Sequence, residues 1–364
     1  MNWEKAAFLL LLLLLLAAVP PLCAKAQPAD SSAASRGTTF AEGIFDMGSW
    51  CRPFWADMYS TITKAEYAYA YNTPEYDWGK KGKKYRPYIF ANIGVDVPVW
   101  AGTFANTKYG LSVTIPYLVD VWLDMFERIT APVINTAYRF GLPEVNFIHR
   151  LDRARLGITS YSLKLIAFKH ECSHIGDDLT LMRSSEGVPL KNLNVSYNYW
   201  QVEGTINDPM FSLKREHSLR VAMLMLYGRR SSWYSVLPSA GDADLVEPSE
   251  KPFELWLQYQ YQSAVTRSRL QWIASLEVRK RVRYNYPLYQ TAEDDPAAWM
   301  SLDNLGEISL PALNLMLGVR YRNPQMLKFR SVGVALRAYR GMNPYGQFRS
   351  IPKYEQYGIT LVVE

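Results

Sequence analysis

Phe253-Glu254-Leu255-Trp256-Leu257-Gln258-Tyr259-Gln260-Tyr261-Gln262 carries the signal that decides the fold. Phe253, Leu255, Leu257, Tyr259 and Tyr261 fall on alternate positions, with Glu254, Gln258, Gln260 and Gln262 between them. Successive side chains of a strand point to opposite faces, so this segment has one greasy face and one wet face. Residues 270–286 repeat the pattern at greater length: Leu270, Trp272, Ala274, Leu276, Val278, Val282, Tyr284 and Tyr286 oppose Gln271, Ser275, Glu277, Arg279, Arg281, Arg283 and Asn285. In the same way Leu193, Val195, Tyr197 and Tyr199 are expected on an apolar face, opposite Asn194, Ser196 and Asn198.

A soluble sandwich alternates too, so other features must separate the two architectures. The apolar faces are edged with Tyr and Trp, as at the aromatic girdles of membrane interfaces, and the counterface carries Arg and Gln, which suits a polar lumen. Strands are expected near 63–72, 86–100, 107–116, 132–142, 161–174, 191–203, 218–228, 253–263, 269–286, 308–322, 328–339 and 355–363. The connections 175–190, 229–252, 287–307 and 340–354 are long, whereas 101–106, 264–268 and 323–327 are short. Long outer loops alternating with short periplasmic turns is the habit of outer-membrane barrels, although 143–160 and 204–217 exceed it. The expected fold is all-β: a transmembrane antiparallel β-barrel of about twelve strands, with its body at 59–364.

Composition agrees. Of 364 residues, 14% are aromatic, including 25 Tyr and 11 Trp, and 20% are charged, which excludes disorder and coiled coil. The 40 basic residues exceed the 34 acidic ones by only 6, too few to point to a nucleic acid partner. Lys5 followed by the apolar run Ala6–Val19 and by Ala24-Lys25-Ala26 reads as a signal peptide over 1–26. Residues 27–58, rich in Ser, Ala, Gly and Thr, read as a flexible lead-in. After cleavage only Cys51 and Cys172 remain, which fits either one bridge or two free thiols. The closing Gln356-Tyr357-Gly358-Ile359-Thr360-Leu361-Val362-Val363 has the polar-x-Gly-x-x-apolar-x-apolar form of a C-terminal strand read by barrel-assembly machinery. The expected location is the outer membrane, with outer-membrane lipid as the surrounding partner.

One segment looks like chemistry. His170-Glu171-Cys172-Ser173-His174 matches H-E-x-x-H, a zinc-protease motif when a helix sets both His on one face. On a strand the two His stand roughly 13 Å apart, far beyond what one zinc ion bridges at about 2 Å per ligand, so the protease is not expected in a chain of strands. His170 and Cys172, two apart on a strand, share a face about 6.6 Å apart at the backbone and suit a base and a nucleophile, with Ser173 and His174 beside them in the candidate catalytic set. Asn192 and Asn194 are the candidate orienters of the imidazole, and which way the pair faces stays open. A purely structural alternative has His170, Ser173, His174 and Asp177 pinning an outer loop by hydrogen bonds. Asp177 and Asp178 form an acidic turn suited to calcium; no other cofactor is expected. Arg279, Arg281, Arg283, Arg320, Arg322 and Arg337 would line the lumen, either selecting anions or neutralised by groups such as Glu277. His149 and His217 are expected in turns.

Arg139-Phe140-Gly141-Leu142-Pro143, followed by a strand and by His170–Asp178, resembles a bacterial family of exported barrel-like proteins catalogued as domain of unknown function 1207. Its members carry a similar Arg-x-Gly-Leu-Pro and a His-x-Ser-Ser-His-Leu-Gly-Asp-Glu segment. Here Cys172 stands at the first Ser, Ile175 at the Leu and Asp178 at the Glu. The resemblance is clearest over about residues 50–205 and implies location more than activity, since the family has none assigned. A second likeness is to outer-membrane phospholipase A and the lipid A deacylases, barrels with a His-x-Ser element on a strand; it implies His170 as general base and Cys172 as nucleophile. Two expectations follow: a non-enzymatic pore or structural envelope barrel, or a lipid acyl hydrolase.

Overall fold

The computed structural model describes residues 54–71, 85–103, 109–124, 133–155, 157–176, 193–207, 215–226, 233–235, 253–280, 311–322, 331–345, 348 and 354–364. Its strands are β1 (Thr63–Tyr71), β2 (Arg86–Thr103), β3 (Tyr109–Leu123), β4 (Val133–Gly141), β5 (Glu144–Arg155), β6 (Ile158–Ile175), β7 (Leu193–Ile206), β8 (Glu216–Leu226), β9 (Trp233–Ser235), β10 (Phe253–Gln262), β11 (Leu270–Lys280), β12 (Ala312–Arg322), β13 (Ser331–Gly341) and β14 (Tyr354–Val363). All pair antiparallel in one sheet, and the β1–β14 and β6–β7 pairings close it into a ring. β4 and β5 lie end to end between β3 and β6 and count as one staff of the barrel, while β9 only extends β7 outside the ring. Twelve staves therefore close the wall, as the alternation predicts.

The expected connection at 143–160 is a strand instead. The chain continues through β5 and reverses between Arg155 and Ile158, with Gly157 at φ 80° in the left-handed region. This restores the alternation of short and long connections. The short reversal lies at the end of the barrel where β1 starts and β14 finishes, and β6 finishes at the opposite end.

Period-two alternation places the apolar residues outside. Leu255, Leu257 and Tyr259 are exposed, whereas Glu254, Trp256, Gln258, Gln260 and Gln262 are buried in the lumen. Leu336 is 64% and Trp272 61% exposed, and such residues ring the whole wall. A surface of that kind belongs in lipid, where a closed sheet also satisfies every backbone N–H and C=O. The chain is thus a transmembrane antiparallel β-barrel. Near the termini end an aromatic row crosses three neighbouring staves: Tyr109, His149 and Tyr161 pair in register, and Tyr109 stacks on His149 with ring centroids 4.3 Å apart. His217 on β8 lies at the same end, its Nδ1 2.6 Å from Tyr259 Oη. Both histidines thus sit on strands within aromatic girdles, not in turns, because β5 and β8 extend further toward this end than the alternation suggests.

Among the described residues, the N-terminal segment packs inside the lumen. Phe54, Trp55 and Ala56 are 0% exposed. The Trp55 amide donates to Gln260 Oε1 (2.9 Å), the Ala56 amide to Ser275 Oγ (3.0 Å), and the Trp55 indole to Glu364 (2.8 Å). Lys64 Nζ donates to the carbonyls of Trp55 (2.9 Å) and Asp57 (2.8 Å) and to Ser60 Oγ (3.1 Å). Residues 54–58, the end of the expected flexible lead-in, are therefore built into the barrel; residues 1–53 lie outside those described. At the opposite end Phe90, Trp122, Tyr345 and Phe348 interlock, with Phe90 stacked on Tyr345 at 5.3 Å.

The lumenal arginines are neutralised. Arg279 meets Glu277 (3.1 Å), Glu254 (3.6 Å) and Asp57 (3.7 Å), Arg320 meets Glu364 (2.7 Å), and Arg337 meets Glu66 (2.6 Å). Burial works against the Asp57 carboxylate, but Arg279, Arg220 and Lys64 hold it below its ordinary range. Arg322 is half-buried at the end of β12, and Arg281 and Arg283 lie outside the described residues.

Gly141 lies where β4 gives way to β5, and a Cβ there would press on the Phe168 carbonyl oxygen and the Lys169 Cα. We predict that Gly141→Val destabilises the folded barrel by about 1–3 kcal/mol, the usual cost of overpacking. Urea unfolding in detergent micelles checks this, with Gly204→Val, where a Cβ would meet nothing, as the control.

Candidate functional site

The site strand β6 changes phase halfway along. From Tyr161 to Ile166 the odd residues face out and Ser162 and Ile166 are buried. From Lys169 onward the buried residues are Lys169, Glu171 and Ser173, at 4%, 1% and 0% exposure. The cause is a bulge: against β7 the register runs Ile166↔Gln201 and then Lys169↔Tyr199, which leaves one extra residue in β6. The adjacent staff does the same, since Tyr117↔Phe140 is followed by Thr114↔Glu144, so the inward set passes from Asn135, Ala137 and Arg139 to Glu144, Asn146 and Ile148. The two irregularities lie side by side, joined by the Leu142 amide donating to the Phe168 carbonyl at 3.0 Å. Gly141 permits that approach, and Pro143, which has no N–H, asks nothing of the ladder there. The Arg-x-Gly-Leu-Pro motif is thus one half of a paired bulge.

As a result His170, Cys172 and His174 face out of the barrel. His170 and Cys172 are half-buried and His174 is exposed. His170 lies in register between Phe140 on β4 and Asn198 on β7, its ring 5.1 Å from that of Phe140. His170 Nδ1 and Asn198 Oδ1 are 2.6 Å apart. An amide oxygen only accepts, so Nδ1–H is the donor, which selects the tautomer with the ring's lone pair on Nε2. Cys172 carries a free thiol two residues along on the same face. Asn198, a polar residue aimed at lipid, finds its partner in His170.

This differs from the expectation for β7. Tyr199, expected on the outer apolar face, is 1% exposed and points into the lumen with Gln201, Glu203 and Thr205. The amide that meets His170 is that of Asn198; Asn194 lies further along β7, in register with Tyr234 of β9, and Asn192 lies outside the described residues. Ser173 leaves the candidate set, since it faces inward and accepts from Asn135 Nδ2 at 2.8 Å. In the pinning network of His170, Ser173, His174 and Asp177, His170 and His174 face outward and Ser173 inward, and Asp177 lies outside the described residues. The H-E-x-x-H motif is extended strand, so its zinc reading falls with the helix it needs. Among the described residues no three His, Cys, Asp or Glu side chains are grouped to hold a metal ion, and Asp177 and Asp178 lie outside them.

Each inward residue behind the site is gripped from the lumen. Lys169 Nζ lies 3.5 Å from Glu144, which also binds Lys164 at 3.1 Å. Glu171 takes Arg139 Nε at 3.0 Å, and Arg139 also pairs with Asp120. Asn135 Nδ2 reaches the His174 carbonyl at 3.0 Å as well as Ser173.

No family model and no curated protein matches this chain. Among solved structures it is similar to outer membrane phospholipase A from Escherichia coli (10% identity, TM-score 0.43, 83% of this chain and 90% of that one). It is also similar to the calcium-bound outer membrane phospholipase dimer of Salmonella typhi (11%, 0.43, 90% and 99%) and to the translocator domain of the autotransporter NalP from Neisseria meningitidis (9%, 0.39, 83% and 86%). These are likenesses of one barrel to another. Fold and site together define a transmembrane β-barrel with a packed lumen and a polar cluster on its lipid-facing wall.

Opposite facings imply opposite costs of substitution. Glu171→Leu leaves the buried Arg139 with Asp120 as its carboxylate partner, and we expect a loss of about 3–5 kcal/mol, typical of breaking a buried ionic group. His174→Leu, on the outer face, should stay within about 0.5 kcal/mol. Urea titrations of the two variants test the assignment.

Proposed function

We propose that the chain is an outer-membrane lipid acyl hydrolase, with His170 as general base, Asn198 as its orienter and Cys172 as nucleophile. The observation that carries this is the His170–Asn198 pair on the lipid-facing wall with a free thiol beside it. Position supports it. From Tyr161 in the lower aromatic row to His170 is nine residues, about 30 Å along the strand. At a tilt near 40° that is about 23 Å along the membrane normal, close to the roughly 25 Å of an apolar band. The site then lies at the border of the leaflet next to the long connections, at the depth of lipid ester groups. The signal-like residues 1–26 and the C-terminal strand support export and insertion by barrel-assembly machinery into the outer membrane.

The chemistry is that of a base and a thiol. His170 Nε2 takes the proton from Cys172 Sγ, and the thiolate attacks the ester carbonyl carbon. The acyl C–O bond breaks, the leaving alkoxide takes the proton from His170, and an acyl thioester remains on Cys172. Water, deprotonated by His170, then attacks the thioester; the C–S bond breaks, releasing the fatty acid and returning the proton to sulfur.

A second reading, a non-enzymatic structural barrel of the envelope, draws support from the packed lumen and the neutralised arginines. The same packing speaks against an open, anion-selective pore.

Full-length protein in phospholipid liposomes separates these readings. The hydrolase releases fatty acid and lysolipid; His170→Ala lowers the rate by about 100-fold or more, within the range for loss of a general base, and Cys172→Ala abolishes the thioester route. Ion conductance stays at the level of empty liposomes. An assembled wild-type barrel that releases no fatty acid would overturn the enzymatic reading and leave the structural one.

A further inference from the structure

We infer that Tyr59, from the N-terminal segment inside the lumen, is a positioning residue for the outward-facing site. The inference rests on the hydrolase reading for its kinetic consequence but not for its structural one. The Tyr59 ring lies against two buried guanidiniums, 4.1 Å from that of Arg139 and 4.6 Å from that of Arg279. Its hydroxyl donates to the Pro344 carbonyl at 3.3 Å, which ties it to the segment following β13. Arg139 is 1% exposed and bridges Asp120 on β3 and Glu171 on β6. Glu171 is the residue between His170 and Cys172, pointing the opposite way from both.

A guanidinium this buried is held by its partners or not at all. Asp120 and Glu171 supply the charge, while the Tyr59 ring covers the Arg139 guanidinium in a cation–π contact that desolvation strengthens. With Tyr59 against it Arg139 is held in place, and Glu171, 3.0 Å from its Nε and accepting from its Nη2 at 3.3 Å, fixes the backbone of β6 just beyond the bulge. That is where the wall needs help, because the bulge interrupts the β6–β7 ladder between Ile166 and Lys169. The nucleophile and base face lipid, but the group that aligns their shared strand is reached from inside the barrel. The N-terminal segment thereby does more than fill space.

The test uses the full chain carrying Cys23→Ser and Cys51→Ser, reconstituted in phosphatidylethanolamine–phosphatidylglycerol liposomes, with Tyr59→Ala and Tyr59→Phe compared. Assembly is verified by the heat-modifiable mobility of the barrel; if Tyr59→Ala fails to assemble, Tyr59→Leu replaces it with the same expectations. Two readouts are taken: the kinetics of lipid hydrolysis, and the rate at which a membrane-soluble maleimide alkylates Cys172. Tyr59→Ala is expected to lower kcat at least tenfold with KM within twofold of the parent and to change the alkylation rate at least threefold, whereas Tyr59→Phe, which keeps the ring, leaves both near parental values. Parental kcat and alkylation rate in Tyr59→Ala would overturn the positioning role. A changed alkylation rate in a chain that hydrolyses nothing would sustain the coupling and overturn the hydrolase.

Discussion

Everything in this molecule follows from the demand that a backbone crossing hydrocarbon satisfy its own hydrogen bonds. Twelve antiparallel staves meet that demand only because β1 pairs with β14 along Thr63–Tyr71 and leaves no edge. Closure has a local requirement: a Cβ on Gly358 would run into Ala68, Tyr67 and Glu66 of β1. The glycine of the C-terminal strand pattern is therefore also a structural need of the seam. Closure has an electrostatic consequence as well. Inward residues share a narrow interior, so each arginine must find carboxylates, and the N-terminal segment adds Asp57 to the Glu203, Glu254 and Glu277 that the wall sets around Arg220 and Arg279.

Against that background the paired bulge is the informative departure. Two neighbouring staves each gain a residue at the same height, and beyond it every side chain is turned over. Bulges re-aim side chains, and this one moves a histidine and a cysteine from a lumen full of ion pairs to a wall that meets lipid. Polar groups there are costly unless paired, and the His170–Asn198 contact is the pairing.

Most of the wall was legible in the sequence because alternation has period two and lipid demands an apolar outer face at every second position. Leu255, Leu257 and Tyr259 follow that rule without exception. It failed where its premise fails. The lumen also buries large rings, such as Trp256, Tyr339 and Tyr199, so the tyrosines of β7 looked like an outer face when Tyr199 belongs inside. β5 was missed because Pro143 reads as a stop and the charges of Arg150, Asp152 and Arg153 read as a loop. The facing of His170 was not readable, since the extra residue falls at Ala167-Phe168, two apolar positions that fit either side. The partnership of Asn198 with His170 was not readable, because cross-strand register is a property of pairing and not of spacing. The signal available was a histidine with an asparagine on the following strand, and only the register says which asparagine.

The claim on which the account turns is that β6 inverts its facing between Ile166 and Lys169. A nitroxide scan along 161–174, one label at a time in liposomes, measures it directly through collisions with oxygen dissolved in the bilayer. Maxima at 161, 163 and 165 that shift to 170, 172 and 174 are the predicted result. Unbroken alternation on the odd positions through 173 would contradict it and return His170 and Cys172 to the lumen.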